Sequence, residues 1–393
     1  MTTTSKLALL AALMVSEAAS AKVYIELRPR ASLMAGYDDN VQLDGSGADS
    51  FGQAAPGLKL DLFGEHQLHL DVDCQAGLAH LTHPEQFGIS SGAFATSEQC
   101  LTGFRTHLSE RTRMKFNLRA SYAQDPFAIS GFGLLLRAGQ TQVFAGRFSS
   151  EVEHSLDPRS EVDFGFDAQA LAFGANDPGN GYSLAPGVRY VHRLTERSTW
   201  DVGVREQLFF AVGATPGPLT KTGVPAGLLD EGHAALIGYT YKLLPYADLI
   251  VRGGPLYMTG QHGQTLFPVA RLEIESITPS TGIHLTVAHD LVIGATAAGP
   301  LVGDIAELGV MYDWGRFSGH ARGGVYRNAG LAETGVGAMG YGAEVAVDYA
   351  LTREVKIGVA GLRDARLNDF TTGQRVDRDV VQLRLTWERA RFE

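Results

Sequence analysis

The sequence predicts an all-β protein, a transmembrane antiparallel up-and-down β-barrel of about eighteen strands, with sixteen strands as the alternative. Three observations predict this fold class. Many segments alternate apolar and polar side chains, as strands with two different faces do. The connections between these segments alternate between short and long. After the N-terminal apolar run, no apolar stretch reaches the roughly 18 residues of a transmembrane helix.

The clearest strand pattern lies at residues 58–62 and 68–78, which are separated by Gly64 and its neighbours. One side of the second segment is apolar, with Leu68, Leu70, Val72, Cys74, Ala76 and Leu78, and the other carries His69, Asp71 and Asp73. A hairpin of this kind belongs to a half-exposed soluble sheet or to a barrel with lipid outside and water inside. The rest of the chain favours the barrel.

The N-terminus has the pattern of a secretory signal peptide. Lys6 precedes an apolar run at 7–15, and Ala19-Ser20-Ala21 provides a small-x-small cleavage site. We therefore predict a cleaved signal peptide at 1–21 and a single outer-membrane β-barrel domain at 22–393. The alternative for the apolar run is a buried N-terminal helix. An exported barrel of this kind belongs in the outer membrane of a Gram-negative bacterium.

The composition narrows the possible partners. Glycine accounts for 47 of 393 residues, which suits close-packed strands and turns better than helices. The formal net charge of −10 argues against nucleic acid as a partner. Lipid of the outer membrane is the expected surroundings of the apolar side of the strands.

Taken in order, the chain contains eighteen predicted strands. They cover 26–37, 58–62, 68–78, 101–108, 112–123, 144–156, 161–173, 183–194, 199–211, 234–242, 246–258, 266–277, 281–292, 304–313, 316–327, 338–350, 354–362 and 379–388. Tight turns alternate with longer loops without a clear exception, as in outer-membrane barrels with short periplasmic turns and longer extracellular loops. A soluble sandwich or propeller has no reason to keep its long loops at one end.

The polar side of the central strands carries many ionisable residues, which we predict to line the lumen. They are Arg113, Lys115, Arg119, Arg147, Glu151, Glu153, Glu161, Asp163, Asp167, Arg189, Arg193 and Arg205. One interpretation is a transverse field across a constriction, as selective pores have. The other is that each ion pairs with a cross-strand neighbour and keeps the wall wet and rigid. We favour the second interpretation for any single residue.

Aromatic residues fall near the ends of the predicted strands, where they would form girdles at the two membrane interfaces. They are Tyr37, Tyr122, Trp200, Tyr246, Tyr257, Tyr312, Trp314, Tyr349 and Trp387. Cys74 and Cys100 lie in or near successive strands of an exported chain, so a disulfide is possible. The alternative is two free, buried thiols, because Cys74 falls on the apolar side.

Two catalytic motifs are present only as short matches. Residues 88–92 match G-x-S-x-G and residues 335–340 match G-x-G-x-x-G, but neither has the strand and helix context that its chemistry requires. His66, His69, His80 and His83, with Asp71 and Asp73, are interpreted as turn, lumen and loop residues rather than a metal site. We therefore expect no enzyme activity, no catalytic or metal site and no cofactor.

The start of the chain resembles a known family. The first strand ends in Gly36-Tyr37-Asp38-Asp39-Asn40-Val41, and a loop then leads to Pro56-Gly57-Leu58-Lys59-Leu60-Asp61-Leu62. This order resembles the beta-barrel porin 2 family, and the length and strand count are similar to those of 18-stranded outer-membrane porins of exopolysaccharide secretion systems. The resemblance implies a channel that works beside a periplasmic polysaccharide-export protein. Beyond the first sixty or so residues only the architecture matches.

The C-terminus departs from the usual end of such barrels. Outer-membrane barrels commonly finish on an aromatic residue, whereas here Trp387 is followed by a charged tail. Recognition by the barrel-assembly machinery is still expected, with Val381, Leu383, Leu385 and Trp387 supplying the alternating pattern.

These observations lead to three functional hypotheses. The first is an outer-membrane channel for export of a secreted polysaccharide, partnered by the periplasmic polysaccharide-export protein. The second is a general or solute-selective diffusion porin for uptake of small hydrophilic molecules. The third is an outer-membrane enzyme or an adhesion scaffold, which would need a catalytic constellation at the barrel rim.

Overall fold

The computed structural model describes eleven segments of the chain. They are residues 23–39, 48–65, 67–82, 95–123, 143–172, 180–211, 228–260, 263–293, 300–330, 338–368 and 375–389. The predicted signal peptide and the G-x-S-x-G match at 88–92 lie outside these residues. In the described segments, no helix has the length and apolar character needed to span a membrane.

Eighteen strands make up almost all of the described chain. They are β1 (Tyr24–Asp38), β2 (Asp49–Phe63), β3 (His69–Leu81), β4 (Ala95–Ser109), β5 (Thr112–Ala123), β6 (Val143–Asp157), β7 (Ser160–Ala172), β8 (Gly181–Arg193), β9 (Ser198–Ala211), β10 (Leu228–Leu244), β11 (Ala247–Gly260), β12 (Gly263–Ile277), β13 (Thr281–Ile293), β14 (Pro300–Trp314), β15 (Phe317–Gly330), β16 (Ala338–Ala350), β17 (Val355–Asn368) and β18 (Val376–Glu388). Each strand pairs antiparallel with its neighbours in the chain, and β1 pairs with both β2 and β18. The sheet is therefore a closed up-and-down barrel. The predicted fold class is confirmed, with eighteen strands rather than sixteen.

One side of the strands is apolar and exposed. On β1, Leu27 and Leu33 are each 56% exposed, and on β16 the side chains of Val345 and Val347 are 54% and 51% exposed. A soluble protein does not leave so much apolar surface in water. Lipid can cover it, and lipid also requires the closed hydrogen bonding of a barrel, because it cannot satisfy free backbone groups. The protein is therefore an outer-membrane barrel of a Gram-negative bacterium.

Aromatic side chains mark the ends of the apolar surface. Tyr246 and Trp314, at the short-turn end, are 63% and 70% exposed, and Tyr257, near the opposite end of β11, is 41% exposed. At ~3.3 Å per residue and a strand tilt near ~40°, Tyr246 and Tyr257 lie about 28 Å apart along the barrel axis. This separation is close to the thickness of the hydrocarbon layer, about 30 Å.

Several strands begin earlier than the sequence pattern predicts. β2 begins at Asp49 rather than at 58, and β4 begins at Ala95 rather than at 101, so the connections before them are shorter than the sequence pattern predicts. The added parts lie at the long-loop end of the barrel. The outward positions there carry small or polar residues, namely Gly52, Ala54 and Pro56 on β2 and Thr96 and Glu98 on β4, so apolar and polar side chains do not alternate. This explains why alternation failed to reveal these parts.

The alternation of short and long connections has an exception. Only residues 261 and 262 separate β11 from β12, although a long connection was expected at this end of the barrel. Gly260 and Gly263 flank the connection with φ angles of 153° and 96°. L-residues with a side chain rarely adopt such angles, so the two glycines permit the tight reversal.

Candidate pore interior

The polar side of the strands faces the interior of the barrel. Arg205 on β9 and Asp290 on β13 form two hydrogen bonds, from Nη2 to Oδ1 at 2.7 Å and from Nη1 to Oδ2 at 3.0 Å. Three strands lie between β9 and β13 in the sheet, so these side chains can meet only across the interior. Arg205 alternates along β9 with Val202 and Val204, which are exposed on the other side.

A network of charges covers the interior side of β5 to β8. The Lys115 ammonium lies 2.6 Å from Glu151 and 2.9 Å from Glu153. Arg189 bonds Glu151 at 3.0 Å and also pairs with Asp163, whose side chain is 4% exposed. Each base is thus shared between two acids, which holds the charged groups of neighbouring strands in fixed positions.

The ionisable residues predicted from the sequence all alternate with the apolar side of their strands. Ten of the twelve form ion pairs, and the pairs of Arg113 with Glu153 at 3.0 Å and of Arg147 with Asp167 at 3.4 Å are further examples. Within the described residues, Arg119 and Arg193 form none. Arg119 stands directly opposite Arg147 in the register of β5 and β6. Two like charges in this position repel each other.

A second group of interior charges lies where the barrel closes. Arg28 on β1 pairs with Asp61 on β2 and contacts Glu388 on β18 at 3.2 Å. Arg30 pairs with Asp73 on β3. Arg28 and Arg30 alternate along β1 with the exposed Leu27, but the acids that bind them come from other strands, and no sequence pattern indicates which ones.

Two ion pairs pass over a glycine in the strand between them. Asp201 on β9 and Arg252 on β11 are both in register with Gly238 on β10, and the guanidinium Nε donates to Asp201 Oδ1 at 3.1 Å. A Cβ atom built on Gly238 would overlap the Asp201 carboxylate. The missing side chain therefore lets next-but-one strands exchange hydrogen bonds.

The second such pair follows the same arrangement. Asp348 on β16 and Arg384 on β18 are in register with Gly358 on β17, and Arg384 Nε donates to Asp348 Oδ1 at 2.8 Å. A Cβ atom on Gly358 would again overlap the carboxylate. Part of the high glycine content thus serves the interior charge network.

The barrel wall overlaps itself between β12 and β13. The register of these strands runs from Ile277↔Gly282 to Ala270↔His289. Beyond that point, in the described residues, 263–269 of β12 pair only with β11, and 290–293 of β13 pair only with β14. We call this end of the β12–β13 pairing the seam.

On the long-loop side of the seam, the end of β13 lies against the interior side of strands β9 to β12. Leu291 is on the same side of β13 as the exposed Val287, yet it is only 7% exposed. Its Cδ1 atom lies 3.6 Å from the position of a Cβ on Gly232, which is on the interior side of β10. The ring of Phe267 on β12 meets His289 on β13 edge-on at 6.3 Å. In keeping with this overlap, β13 comes within 8 Å of β8 between Cα atoms.

Apolar side chains fill the space between the overlapped layers. The buried cluster consists of Phe209, Ala234, Leu256, Met258, Val269 and Leu291, with Leu236, Phe267 and Val302 packed against it. We call it the apolar cluster. It lies in the long-loop half of the barrel, so this part of the interior is occupied by strand side chains. Toward the short turns, a cavity of about 640 Å³ runs along the charged wall from β5 to β12.

The two cysteines lie in register on neighbouring strands. Cys74 on β3 faces Cys100 on β4, with 4.1 Å between their Cα atoms, and the structure joins them by a disulfide. Cys74 shares its side of β3 with Leu78, which is 52% exposed. The disulfide therefore lies on the lipid-facing side of the wall.

A group of three ionisable residues that no sequence motif indicates lies on the outer side of β9 and β10. Ligand atoms of Glu206, Glu231 and His233 all lie within 4.8 Å of one another. The group could have been found only from the register, which places His233 opposite Glu206. In the part of the chain that the structure describes, it is the single cluster with this geometry.

No protein-family model and no curated protein matches the chain. Several solved outer-membrane proteins have a similar overall structure. The outer membrane protein OpdK of Pseudomonas aeruginosa is 11% identical, with 93% of this chain and 98% of that chain covered and a TM-score of 0.44. A BenF-like porin from Pseudomonas fluorescens is 9% identical, with 94% and 98% covered and a TM-score of 0.47.

A third similar structure contains a ligand. OccK2 (OpdF) of Pseudomonas aeruginosa in complex with glucuronate is 10% identical, with 93% of this chain and 98% of that chain covered and a TM-score of 0.45. The fold assignment given above rests on the strand pairing of this chain and not on these similarities.

Proposed function

We propose that this barrel is a passive channel through which small hydrophilic solutes diffuse across the outer membrane. The main support for the proposal is the interior of the barrel. Its wall carries charged side chains in fixed positions, and the end of β13 narrows the lumen. The twelve ionisable residues predicted from the sequence would line the water path. Charges of both signs keep such a path wet without closing it to uncharged solutes.

The size of the interior supports small solutes as cargo. An unobstructed eighteen-stranded barrel would leave a wide aqueous lumen. Here the end of β13 and the apolar cluster occupy part of it. The cavity of about 640 Å³ beside them falls within the roughly 300–1,000 Å³ of small-molecule sites.

The mutual pairing of the charges supports weak rather than tight binding of the cargo. Lys115 and Arg189 already have two carboxylate partners each, so neither has a free charge to offer a passing ion. A solute that binds weakly leaves quickly, as conduction requires.

Export of a polysaccharide together with a periplasmic export protein stays a prediction from the sequence resemblance. A polymer in transit would need an open path past the seam, which the apolar cluster and β13 narrow. Diffusion of small solutes is therefore the better supported of the two channel functions.

Swelling of liposomes that contain the purified barrel tests the proposal. We expect rapid swelling in arabinose and glucose, slower swelling in sucrose and raffinose, and none in a dextran. Protein that was unfolded before reconstitution serves as the control. Equal swelling rates for all the sugars together with entry of dextran would support the polymer channel. No swelling in any solute would contradict both channel functions.

A further inference from the structure

We propose that the ion pair between Arg205 and Asp290 sets the width of the channel by holding the long-loop end of β13 inside the barrel. The inference rests on the proposed channel function and extends it to a particular pair of residues. It assigns to this pair the role of a latch between β9 and β13.

The position of Asp290 at the seam is the first support. The β12–β13 register ends at His289, and Asp290 is the next residue. β13 therefore leaves its neighbour at the residue that binds Arg205. Asp290 Oδ1 also accepts a hydrogen bond from the Leu291 backbone N–H at 2.8 Å. This bond satisfies a backbone donor just beyond the end of the β12–β13 register.

The strength of the ion pair is the second support. Its two hydrogen bonds join the two guanidinium Nη atoms to the two carboxylate oxygens, the bidentate geometry that makes such pairs strong and directional. The side chains of Arg205 and Asp290 are 26% and 27% exposed, so water screens them only in part. This sets the pair apart from a surface ion pair, which contributes little to structure.

The apolar cluster alone does not fix the position of β13. Apolar packing is favourable but not directional, so Leu291 could gain similar burial at neighbouring positions along the inner side of β10 and β11. A bidentate ion pair, by contrast, forms in only one relative position of its two side chains. The cluster therefore favours an overlapped wall, and the ion pair determines how far β13 reaches toward β8.

The effect of the ion pair on the width of the lumen can be estimated from the number of strands that surround the lumen. At the level where β13 approaches β8, the open lumen is bounded by fourteen strands, β13 to β18 and β1 to β8, whereas β9 to β12 line it toward the short turns. If β13 were released, all eighteen strands would surround the lumen. Because barrel diameter grows roughly linearly with strand number, the open area would rise roughly 1.7-fold.

Single-channel conductance of Asp290→Ala in planar bilayers tests the proposal. At 1 M KCl the Debye length is about 3 Å, so conductance reports the bore more than the lost charge. We expect the unitary conductance to rise roughly 1.7-fold over the wild-type protein. The double variant Arg205→Asp with Asp290→Arg restores the pair in reverse and should return the conductance to the wild-type value.

Glu344→Ala is the matched control. Glu344 on β16 is an interior carboxylate whose partners His320 and Arg322 lie on the neighbouring strand β15, so its contacts span no part of the lumen. Its removal should leave the unitary conductance near the wild-type value. A gel shift between heated and unheated samples verifies that each variant is folded. If Asp290→Ala does not fold, Asp290→Asn is measured in its place. Because Asn keeps the size of Asp and one hydrogen-bond acceptor, the unitary conductance should rise less than is expected for Asp290→Ala.

The possible results separate the two proposals. A wild-type protein that conducts, with Asp290→Ala at the same conductance, would overturn the latch and leave the channel function standing. An equal rise in Glu344→Ala would overturn it as well. A folded wild-type protein that neither conducts nor swells liposomes would overturn the channel function itself.

Discussion

At the scale of single residues, glycines and charges in this barrel depend on each other. Gly238 has no side chain, and that absence brings Asp201 and Arg252 together across an intervening strand. Asp201 is 3% exposed, so this partner takes the place of much of the water that its carboxylate would otherwise contact. Removing one partner of a buried ion pair costs more than the pair itself contributes.

Gly238→Ala should destabilise the barrel. The new methyl group would displace the Asp201 carboxylate from Arg252, and we expect the free energy of unfolding to fall by about 2 kcal/mol. Urea unfolding in lipid vesicles, followed by tryptophan fluorescence, measures the change. Gly165→Ala is the control, because no atom lies within 4 Å of its added Cβ. Equal losses for both variants would show that the ion pair over Gly238 is not the cause.

Arg119 and Arg189 should respond differently to the same substitution. Arg189→Gln leaves the nearly buried Asp163 without its partner, so the free energy of unfolding should fall by about 3 kcal/mol. Arg119→Gln removes repulsion with Arg147 and should leave stability unchanged or raise it slightly. Its effect should instead be a lower chloride-to-potassium permeability ratio, measured from reversal potentials. A stability loss at Arg119 equal to that at Arg189 would contradict this assignment.

At the scale of strands, the seam divides β12 into two parts. Residues 270–277 have neighbours on both edges, whereas 263–269 pair with β11 alone among the described residues. The unpaired edge begins at the long-loop end of the barrel, where water can satisfy the backbone groups of the residues beyond the level of Leu266, the partner of Tyr257.

Hydrogen–deuterium exchange should reveal this division. Peptides that cover 264–269 should exchange faster than peptides that cover 271–277 of the same strand, because alternate backbone N–H groups of this part, in which Pro268 has none, point toward the seam. The corresponding halves of β11, which pairs along its whole length with β12, are the internal comparison. Uniform protection along β12 would mean that the seam is closed in the membrane.

The sequence predicted the strands best where hydrocarbon faces them. At 68–78, lipid on one side and water on the other impose strict alternation, and β3 was found almost whole. The added part of β2, from Asp49 to Gly57, has small residues such as Gly52, Ala54 and Pro56 at its outward positions and carries no such pattern. The sequence also does not indicate which side chains form ion pairs across the interior of the barrel. Arg205 and Asp290 are 85 residues apart, and nothing in a regular barrel predicts that their strands meet.

At the scale of the whole molecule, the pairing of interior charges decides how the channel treats ions. Ten of the twelve ionisable residues predicted from the sequence are in ion pairs, so little net charge of either sign faces a passing ion. The formal net charge of −10 belongs to the chain as a whole and does not describe this wall.

The wild-type channel should therefore be weakly ion-selective. In a tenfold KCl gradient, a perfectly selective pore would give a reversal potential of roughly 59 mV, and we expect less than half of that. Planar bilayer recordings at low and high salt check this expectation. A value near the ideal limit would mean that the interior has a dominant charge, in conflict with the pairing seen in the structure.

The disulfide between Cys74 and Cys100 has a consequence for biogenesis. Its sulfur atoms face the acyl chains near the middle of β3, where hydrocarbon disfavours the thiolate needed for exchange. Oxidation must then precede insertion, while the β3–β4 hairpin is still surrounded by periplasmic water. Once embedded, the bond would be out of reach of soluble reductants, and the hairpin would keep its alignment for the lifetime of the protein.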